Sequence, residues 1–258
     1  YKKNNSNQKN IITLLKKIKR NDIMIENNES KFFVHYNLKR LIKDYQKNKN
    51  SYLLVGGTDL ALEVTKKRNN LRNIFYIGSN KELNFINIKG KNIHIGAATT
   101  ISDIMPELEK IYPTFSRMFE RYGSEQIRNS ASIGGNLGSA SPIGDSLPVL
   151  IALNSQIVIQ GKKQRTILLD DYFISYRKTK LKKSEFMKEI IIPINNENIL
   201  KCYKISKRID DDISSVFMAI NANIKNNTFK SIKIVCGGMA EIPKIAKSTQ
   251  KFLLNKKF

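Results

Sequence analysis

From Ser130 to Asp145 the chain reads Ser-Ala-Ser-Ile-Gly-Gly-Asn-Leu-Gly-Ser-Ala-Ser-Pro-Ile-Gly-Asp, sixteen residues of small side chains with no apolar period. Neither an amphipathic helix nor an alternating strand is written there, so the stretch predicts a loop. A loop of that length inside a compact chain points to function. Ile133, Leu137 and Pro142 stand at places a flexible linker rarely fills. Small residues leave backbone N–H groups open to a bulky anion. Asn136 and Asp145 add fixed polar groups, and a carboxylate suits ribose hydroxyls.

A second glycine loop lies upstream, in Leu54-Val55-Gly56-Gly57-Thr58-Asp59-Leu60-Ala61. The apolar run Tyr52 to Val55 predicts a buried strand stopped by the glycine pair, and a helix can start directly afterwards. No Gly-Lys-Ser/Thr follows, so this is not a Walker A loop, and it is not Gly-x-Gly-x-x-Gly. Alone it is a weak signal, more often the signature of a plain strand-to-helix turn. Two such loops without a nucleophile–base pair favour holding a large phosphorylated cofactor over hydrolysis.

Around these loops the pattern is α+β. Residues 1–30, polar and rich in Asn and Lys, read as a linker or tether with one amphipathic stretch from Ile11 to Ile18. A helix is expected over Asn37–Lys47 with Asn37 as its cap, and strands over Asn73–Ile77 and within Phe85–Ala97, turning at Gly90-Lys91. Helices are expected over Ser102–Lys110 and from Thr114 to about Ile127, then strands at Gln156–Gln160, Thr166–Leu169 and Glu189–Ile194. Beyond Pro193 the texture becomes antiparallel: Lys201–Ser206, Val216–Ile224 and Ser231–Cys236, with a turn at Asn226-Asn227 and a helix from Ile242. The boundary falls near 195, giving one domain over 31–195 and a smaller one over 196–258.

With 45 Lys+Arg against 22 Asp+Glu the formal charge is +23, which invites a nucleic-acid reading. Lysine outnumbers arginine 35 to 10, however, and the lysines are spread along the chain rather than interleaved with aromatics. We expect no specific nucleic-acid partner; a basic nucleic-acid-binding module stays as the rival of another class. No apolar run reaches the ~18 residues of a membrane span. Cys202, Cys236, His35 and His94 are too few for an iron–sulfur cluster or a four-cysteine zinc site, so no metal site is expected within the chain.

The glycine loops resemble those of the FAD-binding module of the xanthine dehydrogenase family of molybdenum hydroxylases. Val55-Gly56-Gly57-Thr58-Asp59-Leu60 is similar to its first flavin loop, and Ser132-Ile133-Gly134-Gly135-Asn136 through Ala140-Ser141-Pro142 and Asp145 to its second. Tyr176-Arg177-Lys178-Thr179 and Tyr203-Lys204 to Asp210-Asp211-Asp212-Ile213 follow in the family's order. The resemblance covers about residues 33–258. It implies a PCMH-type FAD-binding fold of two subdomains followed by a smaller α+β domain. It further implies that Leu54 to Ala61 wrap the pyrophosphate, that Tyr122 packs on the cofactor, that Ser132, Ile133, Gly134, Gly135 and Asn136 form the second loop, and that Asp145 makes an acidic contact. Met187 would sit beside the flavin and Lys204 near it as a cation; for Tyr122 and Met187 ordinary core packing is the competing reading.

By the same resemblance the chain is a cytoplasmic oxidoreductase component in a hetero-oligomer, with a role in purine catabolism. Electrons would come through two [2Fe-2S] clusters from a molybdopterin site on other domains or subunits and leave through FAD to NAD+. No side chain of this chain is expected to be catalytic. The sequence starts at Tyr1 and its last domain stops early for the family, so a fragment is expected. Ile209 replaces an often-charged residue, which leaves the acceptor, NAD+ or oxygen, open. Rivals are the flavoprotein subunit of a carbon monoxide dehydrogenase or of an aldehyde or aromatic hydroxylase, a cell-wall reductase-type flavoenzyme, and a degenerate copy that binds nothing.

Overall fold

The computed structural model describes residues 5–18 and 20–258. Its first unit comprises α1 (Asn5–Lys17), β1 (Ile23–Glu26), β2 (Lys31–Val34), α2 (Leu38–Lys47), β3 (Tyr52–Leu54), α3 (Ala61–Thr65) and β4 (Asn73–Tyr76). Strand order is β1-β2-β4-β3, with β2 and β3 parallel to β4 and β1 antiparallel to β2. Asn37 caps α2, its side chain accepting from the Arg40 N–H at 3.1 Å. Leu38 and Leu41 then face the sheet, where Phe33 and Phe75 stack at 4.4 Å between centroids. Within residues 1–30, expected to be a linker, Asn5–Lys17 form a helix and Ile23–Glu26 an edge strand. Ile23, Met24 and Ile25 remain exposed, so backbone pairing to β2 fixes β1 and burial does not. Asp22 assists, accepting from the Tyr36 N–H at 3.0 Å and meeting His35 and Arg40.

The second unit holds β5 (Ile86–Lys89), β6 (Asn92–Gly96), α4 (Ile101–Ile111), α5 (Pro113–Glu120), α6 (Glu125–Ser130), α7 (Ile133–Ser139) and α8 (Ser146–Ala152). It continues with β7 (Gln156–Gln160), β8 (Gln164–Leu168), β9 (Phe173–Ser175), β10 (Lys178–Thr179) and β11 (Phe186–Pro193). Its main sheet is antiparallel, in the order β5-β6-β11-β7-β8. Two expectations change here. The helix over 114–127 is broken, because Gly123 takes φ +53° and Ser124 caps a new helix at the Ile127 N–H. The predicted loop after Ser130 contains α7: Ser132 caps it at the Gly135 N–H, and Ile133 and Leu137, four apart, bury one face. Two such residues four apart make a helical stripe that is too short to register as a period.

The third unit is a meander of β12 (Asn198–Ile205), β13 (Val216–Lys225), β14 (Thr228–Gly237) and β15 (Lys244–Ile245), closed by α9 (Lys247–Leu253). Asn226 and Asn227 both have positive φ, +51° and +55°, the pairing a two-residue turn of the I′ type requires. The helix expected from Ile242 is preceded by β15 and shortened accordingly. Phe217, Ala219 and Val235 share a core with α8, the apolar run Pro148 to Leu153, which is buried throughout. The third sheet therefore packs on the second unit through a helix that is apolar and buried from Leu147 onward. Tyr112 pins the crossing: its hydroxyl donates to Pro193 O at 2.6 Å and accepts from the Asn195 N–H at 3.1 Å. No helix among the described residues is long and apolar enough to cross a membrane.

Candidate cofactor site

A cleft of about 830 Å³ opens between the first and second units. One wall is the run Leu54–Leu60 that leaves β3; the other is α7 with the turn after it, including Gly138, Ser141 and Gly144. The walls meet in backbone contact. A Cβ on Gly56 would lie 1.9 Å from the Ser130 carbonyl oxygen, so no other residue fits there. Gly57 takes φ +72°, the left-handed region that L side chains disfavour, and its carbonyl accepts from the Ala61 N–H at 2.8 Å to start α3. On the facing wall a Cβ at Gly134 would come 2.5 Å from Ala97 O, so this glycine lets α7 lie against the end of β6. Gly138 has nothing within 4 Å of where a Cβ would be; it borders open cleft. Narrow walls of bare backbone around a volume of this size fit an extended cofactor such as FAD.

The polar groups are locked before any ligand arrives. Asn136 Nδ2 donates to the Tyr122 hydroxyl at 2.9 Å, and Asn136 Oδ1 accepts from the Ser146 hydroxyl. Burial, then the nearby charges of Asp145 and Asp59, push the Tyr122 phenol up to about 12, so it stays a neutral group at the cleft. Arg128 holds the turn that carries Tyr122, donating to Gly123 O at 2.7 Å and Glu120 O at 3.1 Å. That support was invisible in sequence, where Arg128 is one basic residue among 45 Lys+Arg.

Of the residues expected at the site, Leu54, Val55, Gly56, Gly57, Thr58, Asp59, Leu60, Tyr122, Ser132, Gly134, Gly135, Asn136 and Met187 line the cleft. Ala61 lies beyond it in α3, and Ile133 is 1% exposed within the core. Asp145 and Lys204 are paired with each other. Lys204 Nζ donates to Asp145 Oδ2 at 2.5 Å, Ser214 donates to Asp145 Oδ1 at 2.5 Å, and the paired side chains are 4–5% exposed. Neither lines the cleft. An inward position of β12 brings Lys204 to the end of the second loop, so the two charges are occupied by each other and fasten the third unit to the second. Cleft residues that the sequence did not name as site residues include Tyr45, Glu185, Phe186 and Arg177. Arg177 belonged to a noted motif, yet only the fold puts the turn between β9 and β10 at the cleft.

The comparisons agree with this geometry. Residues 28–195 match the family described as the FAD binding domain in molybdopterin dehydrogenase. Residues 201–258 match the CO dehydrogenase flavoprotein C-terminal domain. Xanthine dehydrogenase of Emericella nidulans is 28% identical over 247 residues, covering 90% of this chain and 18% of that protein. Xanthine dehydrogenase/oxidase of Gallus gallus is 30% identical over 216 residues, 78% of this chain and 16% of that protein. The chain thus spans less than a fifth of these relatives. Among solved structures, carbon monoxide dehydrogenase from Hydrogenophaga pseudoflava superposes with a TM-score of 0.84 at 22% identity, covering 91% of this chain and 83% of that one. Quinoline 2-oxidoreductase from Pseudomonas putida 86 gives 0.83 at 18% identity, over 91% and 82%. At those identities the structures speak for the fold alone.

Proposed function

The chain belongs to the family of FAD-binding domains of molybdopterin dehydrogenases, and on that premise we propose that it is the electron-transfer module of a xanthine dehydrogenase-like complex. In this reading electrons arrive from iron–sulfur clusters on another domain or subunit, originating at a molybdopterin site, and leave to NAD+. The observation that carries it is the cleft closed by two glycine loops from different units, with the Gly56 backbone seated against Ser130. The redox chemistry belongs to the flavin. This chain's own part is to hold and orient it: Gly56 and Gly57 keep one wall thin, Gly134 and Gly138 the other, and Asn136 fixes the Tyr122 ring at the cleft wall. Relatives named for xanthine, a purine, favour a role in purine catabolism, and NAD+ as acceptor follows from the resemblance of the sequence motifs. The cytoplasm is the compartment we propose; free Cys202 and Cys236 are consistent with it.

Two measurements test this. Purified protein reconstituted with excess FAD is expected to be yellow with about one FAD per chain; a folded, colourless protein ends the proposal. Photoreduced holoprotein mixed with NAD+ in stopped flow is expected to reoxidise faster than in oxygen-free buffer. Rates equal with and without NAD+ remove the acceptor from the reading and leave the cofactor.

A further inference from the structure

The cleft is poor in positive charge although the chain as a whole carries +23. Among the described residues lining it, Asp59, Glu63 and Glu185 are acidic and Arg177 is the one cation. Glu63 has its own counter-charge in Lys67 at 2.6 Å, and Glu185 has Arg165 at 2.7 Å; these contacts hold both carboxyls below their ordinary range. Asp59 faces Arg177, Nη2 to Oδ1 at 3.6 Å, with the two side chains 50% and 40% exposed. The distance is long for a hydrogen bond, and pairs this open are weak.

Arg177 stands between β9 and β10 with φ +52°, a left-handed conformation that a side chain of its size seldom adopts. The hairpin belongs to the second unit and Asp59 to the first, so the pair bridges the two units at the cleft. A diphosphate entering between the glycine loops adds negative charge beside three carboxylates, two of which are already compensated. We propose that Arg177 is the phosphate-recognising residue of this cleft, kept in place by Asp59 until a pyrophosphate takes the guanidinium over. A planar fork of N–H donors matches phosphate oxygens and loses little order in binding them. The inference rests on the FAD reading above and assigns the charge recognition within it.

The test is titration of the deflavinated full chain with FAD and with riboflavin, which lacks the pyrophosphate. At low salt Arg177→Gln is expected to weaken FAD about tenfold or more, the scale of a charge-assisted hydrogen bond. Riboflavin affinity should not change, Arg177→Lys should recover part of the loss, and added salt should narrow the gap. Asp59→Asn should tighten FAD roughly two- to fivefold by removing the competing carboxylate. Equal FAD affinity in wild type and Arg177→Gln, or equal losses for FAD and riboflavin, would overturn the inference. Wild type that takes up no FAD sinks this proposal and the functional reading together; FAD uptake indifferent to Arg177 sinks this one alone.

Discussion

The two glycine loops look alike in sequence, and each carries an aspartate, yet they are held in different ways. The first is an exposed turn whose shape depends on backbone: Gly57 is left-handed, Gly56 has no room for a Cβ, and Asp59 is half exposed with a loose partner. The second is built into the core. Its residues form a short helix on Ile133 and Leu137, and Asp145 is buried between Lys204 and Ser214. Similar composition therefore serves a half-exposed, loosely paired charge in one place and a structural anchor in the other. What distinguishes them is how much of the rest of the chain packs behind each.

The largest effect should come from the anchor. Lys204→Met leaves a buried carboxylate without its counter-ion, a loss of about 3–5 kcal/mol. The melting temperature should fall by on the order of 10 °C, and replacing Asp145 by Asn in the same chain should restore much of it. An unchanged melting temperature would put the third unit's attachment elsewhere, in the α8 packing.

Next comes the exposed loop. Gly57→Val forces a β-branched residue to φ +72°. The strain is about 1–3 kcal/mol, and FAD binding should be abolished while the circular dichroism of the chain is retained. Wild-type affinity would reduce this loop to a turn.

A smaller substitution separates fold from ligand. Gly138→Ala meets no protein atom and sits inside α7, so it should raise helix stability by about 0.5–1 kcal/mol. Its methyl group borders the cleft, so FAD affinity should fall at the same time. Both quantities moving in the same direction would place the cofactor away from α7.

The remaining effect is alkaline. The neutral phenol of Tyr122 is favoured in the folded state, with its ionisation pushed from 10.0 to about 12. Its contribution to stability is complete below the unfolded value and is lost as pH rises through the folded one. Chemical denaturation between pH 10 and 12 should show wild type losing stability more steeply than Tyr122→Phe. Tyr172, also pushed to about 12, gives both proteins a common background. Parallel curves would mean that Tyr122 reaches solvent.

Local chemistry wrote much of this protein directly. Asn37 caps α2, Asn226-Asn227 makes the turn, Gln156–Gln160 is a strand, and the first glycine pair ends another, because each rests on backbone preferences acting within a few residues. The family motifs likewise named both walls of the cleft. Tertiary structure decided the rest. It recruited residues 23–26 to a sheet edge through pairing alone, broke a helix at Gly123, and made Ile133 a core residue. It also set Lys204 on Asp145 and Arg177 opposite Asp59, partners separated by 59 residues in the first case and by 118 in the other. A charge's job depends on which opposite charge the fold places within a few ångströms of it, and no periodicity along the chain encodes that distance.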